Sequence, residues 1–222
     1  MKKSDIMADG MTKEKWNNMN RKQKIEYFNN YYLKLVIIGI LVIAAIIYTI
    51  VSIVTPSPIA ISGEILNTSI IKEGYEQYLC EDFLAAEGFE KRATAVAQLG
   101  VMNHDENDSY QTTMTIDVRM AAKDLDYFIT DEEGLEIISD RGMLLDLSEL
   151  LDDDMMNEMS DRLVERKYPD DTVDKNYVCA IEITDSEFIN TYANKKGKYY
   201  IAVAVNSKRT ENVVKMIQYL LQ

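Results

Sequence analysis

The sequence predicts an α/β domain with a largely parallel sheet and helices on both faces, preceded by one N-terminal transmembrane helix. Three observations carry the prediction. Leu35–Val54, LVIIGILVIAAIIYTIVSIV, runs 20 residues without a charge; at about 1.5 Å per residue that is about 30 Å of helix, the thickness of a bilayer core. After it, short apolar runs rich in β-branched and aromatic residues alternate with stretches of helical period, the pattern of strands joined by crossover helices. Finally, 222 residues with 47% apolar content and only 9 Gly and 3 Pro describe an ordered chain.

The first element, residues 1–34, carries 8 Lys+Arg against 4 Asp+Glu. In WNNMNRKQKIEYFNNYYLK, a helix places Tyr27, Phe28, Tyr31 and Tyr32 on one stripe by i,i+4 spacing. With Trp16 before them, these amphipathic rings suit the headgroup level of a membrane, and a cytoplasmic partner gripping the same stripe is the competing reading.

Leu35–Val54 is apolar all round, unlike the two-faced helices of soluble proteins. It is also longer than the roughly 7–15 residue core of a signal peptide, and Pro58 stands two residues before the only plausible small cleavage residue, Ala60. An uncleaved anchor is therefore expected. Lys13, Lys15, Arg21, Lys22, Lys24 and Lys34 precede the span and no basic residue follows it until Lys72, so the N-terminus is expected in the cytoplasm and the C-terminal part outside the cell. Residues 55–58 read as a linker and 59–222 as one extracellular domain.

Residues 55–222 hold 16 basic and 33 acidic residues, a net charge of −17. Such a charge repels nucleic acid and anionic lipid surfaces. Strands are expected at Ile59–Ile65, Arg92–Val101, Leu125–Thr130, Tyr177–Thr184 and Tyr199–Val205. Between them, Tyr75, Tyr78, Leu79, Cys80 and Phe83 form a stripe that stops at Gly88, and Met114, Val118, Ala121 and Ala122 form another. Asp146 is the expected N-cap of a helix with Glu149 in its first turn, and Ser207 or Thr210 that of the last helix, whose apolar positions are Val213, Val214, Ile217, Leu220 and Leu221.

LDYFITDEEGLEIISDRGMLLDLSELL (125–151) resembles the segment of type II extracellular solute-binding proteins in which a buried strand ends in acidic residues, a helix follows, and G-x-L-x-D-L opens the next. NYVCAIEITDSEF (176–188) and YYIAVAVNSKRTENVVKMIQYL (199–220) resemble the strands by which those proteins leave and re-enter this lobe. The resemblance implies one such lobe over residues 59–222. Only 15 residues separate Ile183 from Tyr199, where the family inserts its second lobe, so no two-lobed clamshell forms and its transport role does not carry over. Phe188, Ile189 and Tyr192 suggest a short helix packing back in that connection. The aromatic tail with one span also resembles small single-pass membrane proteins of Gram-positive bacteria.

No G-x-S-x-G, Walker glycine loop or G-x-G-x-x-G is present, and an enzyme is not expected. His104, beside Asp105, Glu106 and Asp108, reads as a loop and cap residue before it reads as a metal ligand. LDDDMMNEM lacks the central Gly and closing Glu of a calcium loop, and Asp152–Asp154 suit a helix N-terminus. Asp131 and Glu132, with Glu133, stand at a strand's carboxyl end, where α/β proteins bind ligands; helix capping is the plainer role. Cys80 and Cys179 occupy apolar positions and are expected to be free, although a disulfide is chemically permitted outside the cell. The chain is thus read as an anchored extracellular accessory domain, with the lipid bilayer and another membrane or extracellular protein as partners, no nucleic acid and no cofactor. The alternative is a ligand-sensing module, and whether a small molecule binds is left open.

Overall fold

A computed structural model describes residues 12–54, 57–68, 73–170, 172, 174–194 and 196–222. The chain divides into two compact units, Met1–Pro56 and Ser57–Gln222.

The first unit contains α1 (Lys13–Asn17), α2 (Arg21–Tyr31) and α3 (Leu33–Val54). α2 starts at a reciprocal cap: Asn20 Oδ1 accepts the Gln23 N–H at 2.9 Å, and Gln23 Oε1 accepts the Asn20 N–H at 3.0 Å. α3 contains the expected span. Its stretch Leu33–Val51 has a mean hydropathy of 2.7 and none of it is buried, and it is the one helix among the described residues long and apolar enough to cross a membrane. Of the expected linker, residues 55 and 56 lie outside the described residues.

The second unit is a mixed α/β fold. Among the described residues six strands, β1 (Ile59–Leu66), β2 (Thr94–Gly100), β3 (Tyr127–Asp131), β4 (Leu163–Lys167), β5 (Asn176–Glu182) and β6 (Tyr199–Val203), form one sheet in the order β2-β1-β3-β6-β5-β4. β1 pairs in parallel with β2 and β3; the other three pairings are antiparallel. The expectation of a largely parallel sheet therefore holds on one side only. Eight residues join β4 to β5, too few for a crossover, and the β5–β6 connection carries only a six-residue helix.

Helices cover both faces. From β1 the chain passes through a wide helical turn at Gln77–Asp82 and α4 (Phe83–Ala86) to β2 on one side. It returns through α5 (Glu106–Ala122) to β3 on the other side. Right-handed crossovers in opposite directions must lie on opposite faces, and they do: Leu79 and Phe83 pack with Ile61, Ile65 and Ile129, whereas Ile116 packs with Leu66, Leu125 and Phe128. α6 (Glu132–Asp140) adds Leu135 and Ile138 to the second core; α8 (Glu187–Tyr192) and α9 (Thr210–Leu220) add Phe188, Ile189, Val213, Met216 and Ile217 to the first. Burying each of these large side chains stabilises by about 1.5–3 kcal/mol. The short α7 (Asp153–Glu158) is capped by Asp152, which accepts the Met155 N–H at 2.8 Å.

Four expectations are corrected. β4, LVERK, is a sixth strand beyond the five expected; three of its five residues are charged, as suits an edge strand with solvent on its flank. Met114 and Val118 face water at 52% and 66% exposure, while Ser109, Ile116 and Met120 face the core. Apolar spacing alone does not say which face of α5 is covered. Asp146 caps only a three-residue 3-10 turn, Leu147–Glu149, which Leu150 and Leu151 end by packing onto the core. Neither expected cap opens the last helix as such: Arg209 holds the cap position, and Ser207 instead accepts the Arg209 N–H at 3.2 Å. Cys80 and Cys179 are free and belong to opposite cores; burial pushes both thiols up to about 11.

Candidate functional site

The strand order turns at β1, and the carboxyl ends of β1, β2 and β3 meet at the crevice where open α/β sheets take ligands. Asn67 follows β1 in the left-handed conformation, φ 57°, which asparagine tolerates better than most residues. Its Nδ2 donates to Met102 O at 2.6 Å and to Asp131 Oδ1 at 2.9 Å, and its Oδ1 accepts the Met102 N–H at 2.8 Å. One side chain thus stitches the ends of three strands together.

The acidic residues read from the sequence come to this end of the sheet and are each engaged. Asp131 is buried and caps α6, accepting the Gly134 N–H at 3.0 Å. Glu132 is held by Arg166 of β4 and by the Tyr200 hydroxyl of β6. Glu133 accepts the His104 backbone N–H at 3.0 Å, and the His104 side chain is exposed. Among the described residues no three His, Cys, Asp or Glu side chains gather around a metal-sized site. Their arrangement does the work of helix capping and strand-end cross-linking. The connection between β5 and β6 reaches the same end, since Ile183 N–H donates to Tyr199 O at 2.8 Å. Its helix α8 lies against Tyr78 through Phe188, with ring centroids 5.8 Å apart.

A second set of polar residues lies inside the sheet, and the sequence reading missed it. Glu64 of β1 is buried and paired with Arg119 of α5, whose Nη2 also donates to Ser62 Oγ at 2.7 Å and Nη1 to Gln98 Oε1 at 3.1 Å. Gly100 makes room for this: a Cβ there would press on Thr112 and approach Glu64 Oε1. Over Glu64 a cleft of about 550 Å³ opens between β2 and α5, lined by Tyr75, Gln98, Gln111 and Thr115 among others. The available signal was a single charge, Glu64, within the apolar run IAISGEIL.

Burial pushes the Glu64 carboxyl up to about 7 against the opposing pull of Arg119. A carboxyl whose pKa is higher folded than unfolded binds its proton more tightly in the folded state. Its contribution is therefore full at low pH and is lost as pH rises from about 4.5, the ordinary value, to about 7. Glu64→Gln is expected to remove that slope: the difference in urea midpoint between variant and parent changes in the variant's favour from pH 5 to pH 7.5. A difference that stays constant over this range refutes the assignment.

In the first unit, the aromatic residues read as a membrane interface form one cluster. Trp16 folds back onto Tyr27, with centroids 5.8 Å apart; Tyr27 meets Tyr31 at 4.8 Å, and Phe28 stacks on Tyr32 at 6.1 Å. Lys24 Nζ sits 5.3 Å from the Trp16 ring centroid. The turn between α1 and α2, fixed by Asn20, makes that return possible.

No protein-family model matches the chain, and no curated protein is significantly similar to it. Fold and geometry define a mixed α/β domain joined to one bilayer-length apolar helix.

Proposed function

We propose that this chain is a non-enzymatic, membrane-anchored accessory domain that makes protein contacts outside the cell, with its basic N-terminal tail in the cytoplasm. In this reading residues 59–222 are similar to one lobe of a type II extracellular solute-binding protein that has exchanged its ligand role for contact. The observation that carries it is the outer face of α5. In a domain of net charge −17, Tyr110, Met114 and Val118 stand 62%, 52% and 66% exposed on one helical stripe, with exposed, uncharged Asn107, Gln111, Ala121 and Ala122 around them and the Asp117–Arg141 ion pair at one border. A row of exposed apolar side chains on an otherwise charged domain marks a contact surface. The engagement of Asp131 and Glu132 in caps and ion pairs supports the same reading over ligand capture.

The second reading, a ligand sensor, is favoured by Glu64 at the floor of the β2–α5 cleft, because a buried carboxyl with a displaced pKa in a concavity is a frequent mark of a binding site.

Orientation tests the proposal. In a chain with Cys80 and Cys179 replaced by alanine, a membrane-impermeant maleimide is expected to label Ser57→Cys in intact cells and to leave Ser4→Cys unlabelled until the cells are opened. Labelling of Ser4→Cys in intact cells removes the extracellular reading.

A further inference from the structure

The two edges of the sheet are built differently. β4, at one edge, carries Glu165, Arg166 and Lys167 and a register shift between Val164 and Glu165, the charges and bulge by which edge strands are kept from pairing. β2, at the other edge, is TAVAQLG: seven residues with no charge, no proline and an unbroken register with β1 from Ala95 to Gly100. Nothing in β2 discourages a further strand.

Its backbone is presented for one. Gly100 O accepts the Asn67 N–H from the β1 side, so by strand alternation Ala95, Ala97 and Leu99 direct their N–H and C=O groups away from β1. The Ala97 N–H meets the Cys80 thiol, a weak acceptor. Clefts flank the strand on both faces of the sheet. One, of about 660 Å³, has Glu76, Gln77, Glu81 and Leu84 along its wall; the other, of about 550 Å³, has Glu64 at its floor, Gln111 and Thr115 on one wall and Tyr75 and Glu76 on the opposite one, so Glu76 borders both. No Lys or Arg lines either cleft.

We propose that β2 is a strand-addition site that takes an extended peptide segment of a partner, with basic residues at alternate positions. The inference rests on the reading of this domain as a contact module and names its partner's chemistry. A strand laid along β2 sends alternate side chains to the two faces. Those on one face meet Glu76 and Glu81, two exposed carboxylates that select Lys or Arg; those on the other meet Gln111 and Thr115, with Glu76 at the border and Glu64 below already paired with Arg119. The net charge of −17 draws a cationic segment in from a distance. A second copy of this chain fits poorly, because a two-fold pairing of β2 with β2 sets Glu76 and Glu81 against their own counterparts on an equally acidic domain.

The test uses the full chain in phosphatidylcholine nanodiscs and a fluorescein-labelled octapeptide of alternating lysine and threonine, read by anisotropy against empty discs. Binding is expected, weakened at least tenfold by Glu76→Lys with Glu81→Lys. It is also expected to weaken at least tenfold when alternate peptide nitrogens are methylated, which keeps every charge and removes the backbone donors. Amide exchange at Ala95 and Leu99 is expected to slow at least tenfold in the complex. Equal binding of the methylated peptide reduces the site to charge adsorption and overturns the proposal, as does no binding up to millimolar peptide. Leu99→Cys chains that cross-link to one another in the discs overturn it in favour of self-pairing. Each of these outcomes leaves the cysteine-labelling result at Ser57 and Ser4 intact, so failure here is distinct from failure of the extracellular reading.

Discussion

Arg209→Ala is expected to cost the α/β domain about 3–5 kcal/mol, the usual effect of stripping the cation from a buried ion pair. Asp126 precedes β3 and is fully buried. It accepts from the Ser62 N–H at 2.8 Å, Ser207 Oγ at 2.7 Å and Arg209 Nε at 2.7 Å, while Arg209 Nη2 also reaches Asp124 at 3.1 Å. These bonds tie β1, the start of β3 and the turn before α9. Without the guanidinium a carboxylate stays in the interior with only neutral donors. Urea unfolding of residues 57–222, followed by circular dichroism because Trp16 lies outside that segment, measures the loss. Asp126→Asn placed in the Arg209→Ala background should recover part of it, since an amide needs no counter-charge. A loss below about 1 kcal/mol would show that Asp126 is not held as described.

Gly63→Ala is expected to cost about 3 kcal/mol, the upper end for overpacking a core. The Tyr127 ring lies across Gly63, far inside the contact distance of any added Cβ. Tyr127 is fully buried in the first core, so it has nowhere to retreat. The same urea titration measures the cost, and Tyr127→Leu should offset most of it when added to Gly63→Ala, because the smaller side chain vacates the space. Additive losses in the double variant would mean that the two positions do not share one volume.

Parts of this architecture are written locally. The bilayer-length helix follows from composition alone, since no arrangement of neighbours changes the length of an uncharged run. Gly88 and Gly142, both at φ 67°, and the caps at Asp131 and Asp152 are likewise legible, because a helix end is satisfied by residues within one turn of it. β1, β3, β5 and β6 were legible as apolar runs because both of their faces are covered.

Other features were decided by distance in space. The sequence marked Met114 and Val118 as a core face, and only the packing of Ile116 and Met120 against the sheet turned that stripe outward. β4 carries too many charges to signal a strand and exists because β5 offers it a ladder. Glu64 finds Arg119 across 55 positions of chain, and Asp126 finds Arg209 across 83; a buried charge is tolerable only beside its partner, and no local pattern names that partner. The sequence by itself determined a bilayer-length apolar helix, a charge asymmetry and an α/β succession of elements, each a property of neighbouring residues. Tertiary structure alone decided that half the sheet is antiparallel, that Asn67 stitches the strand ends together, and that one edge is charged while the other is not, because each depends on which strands become neighbours.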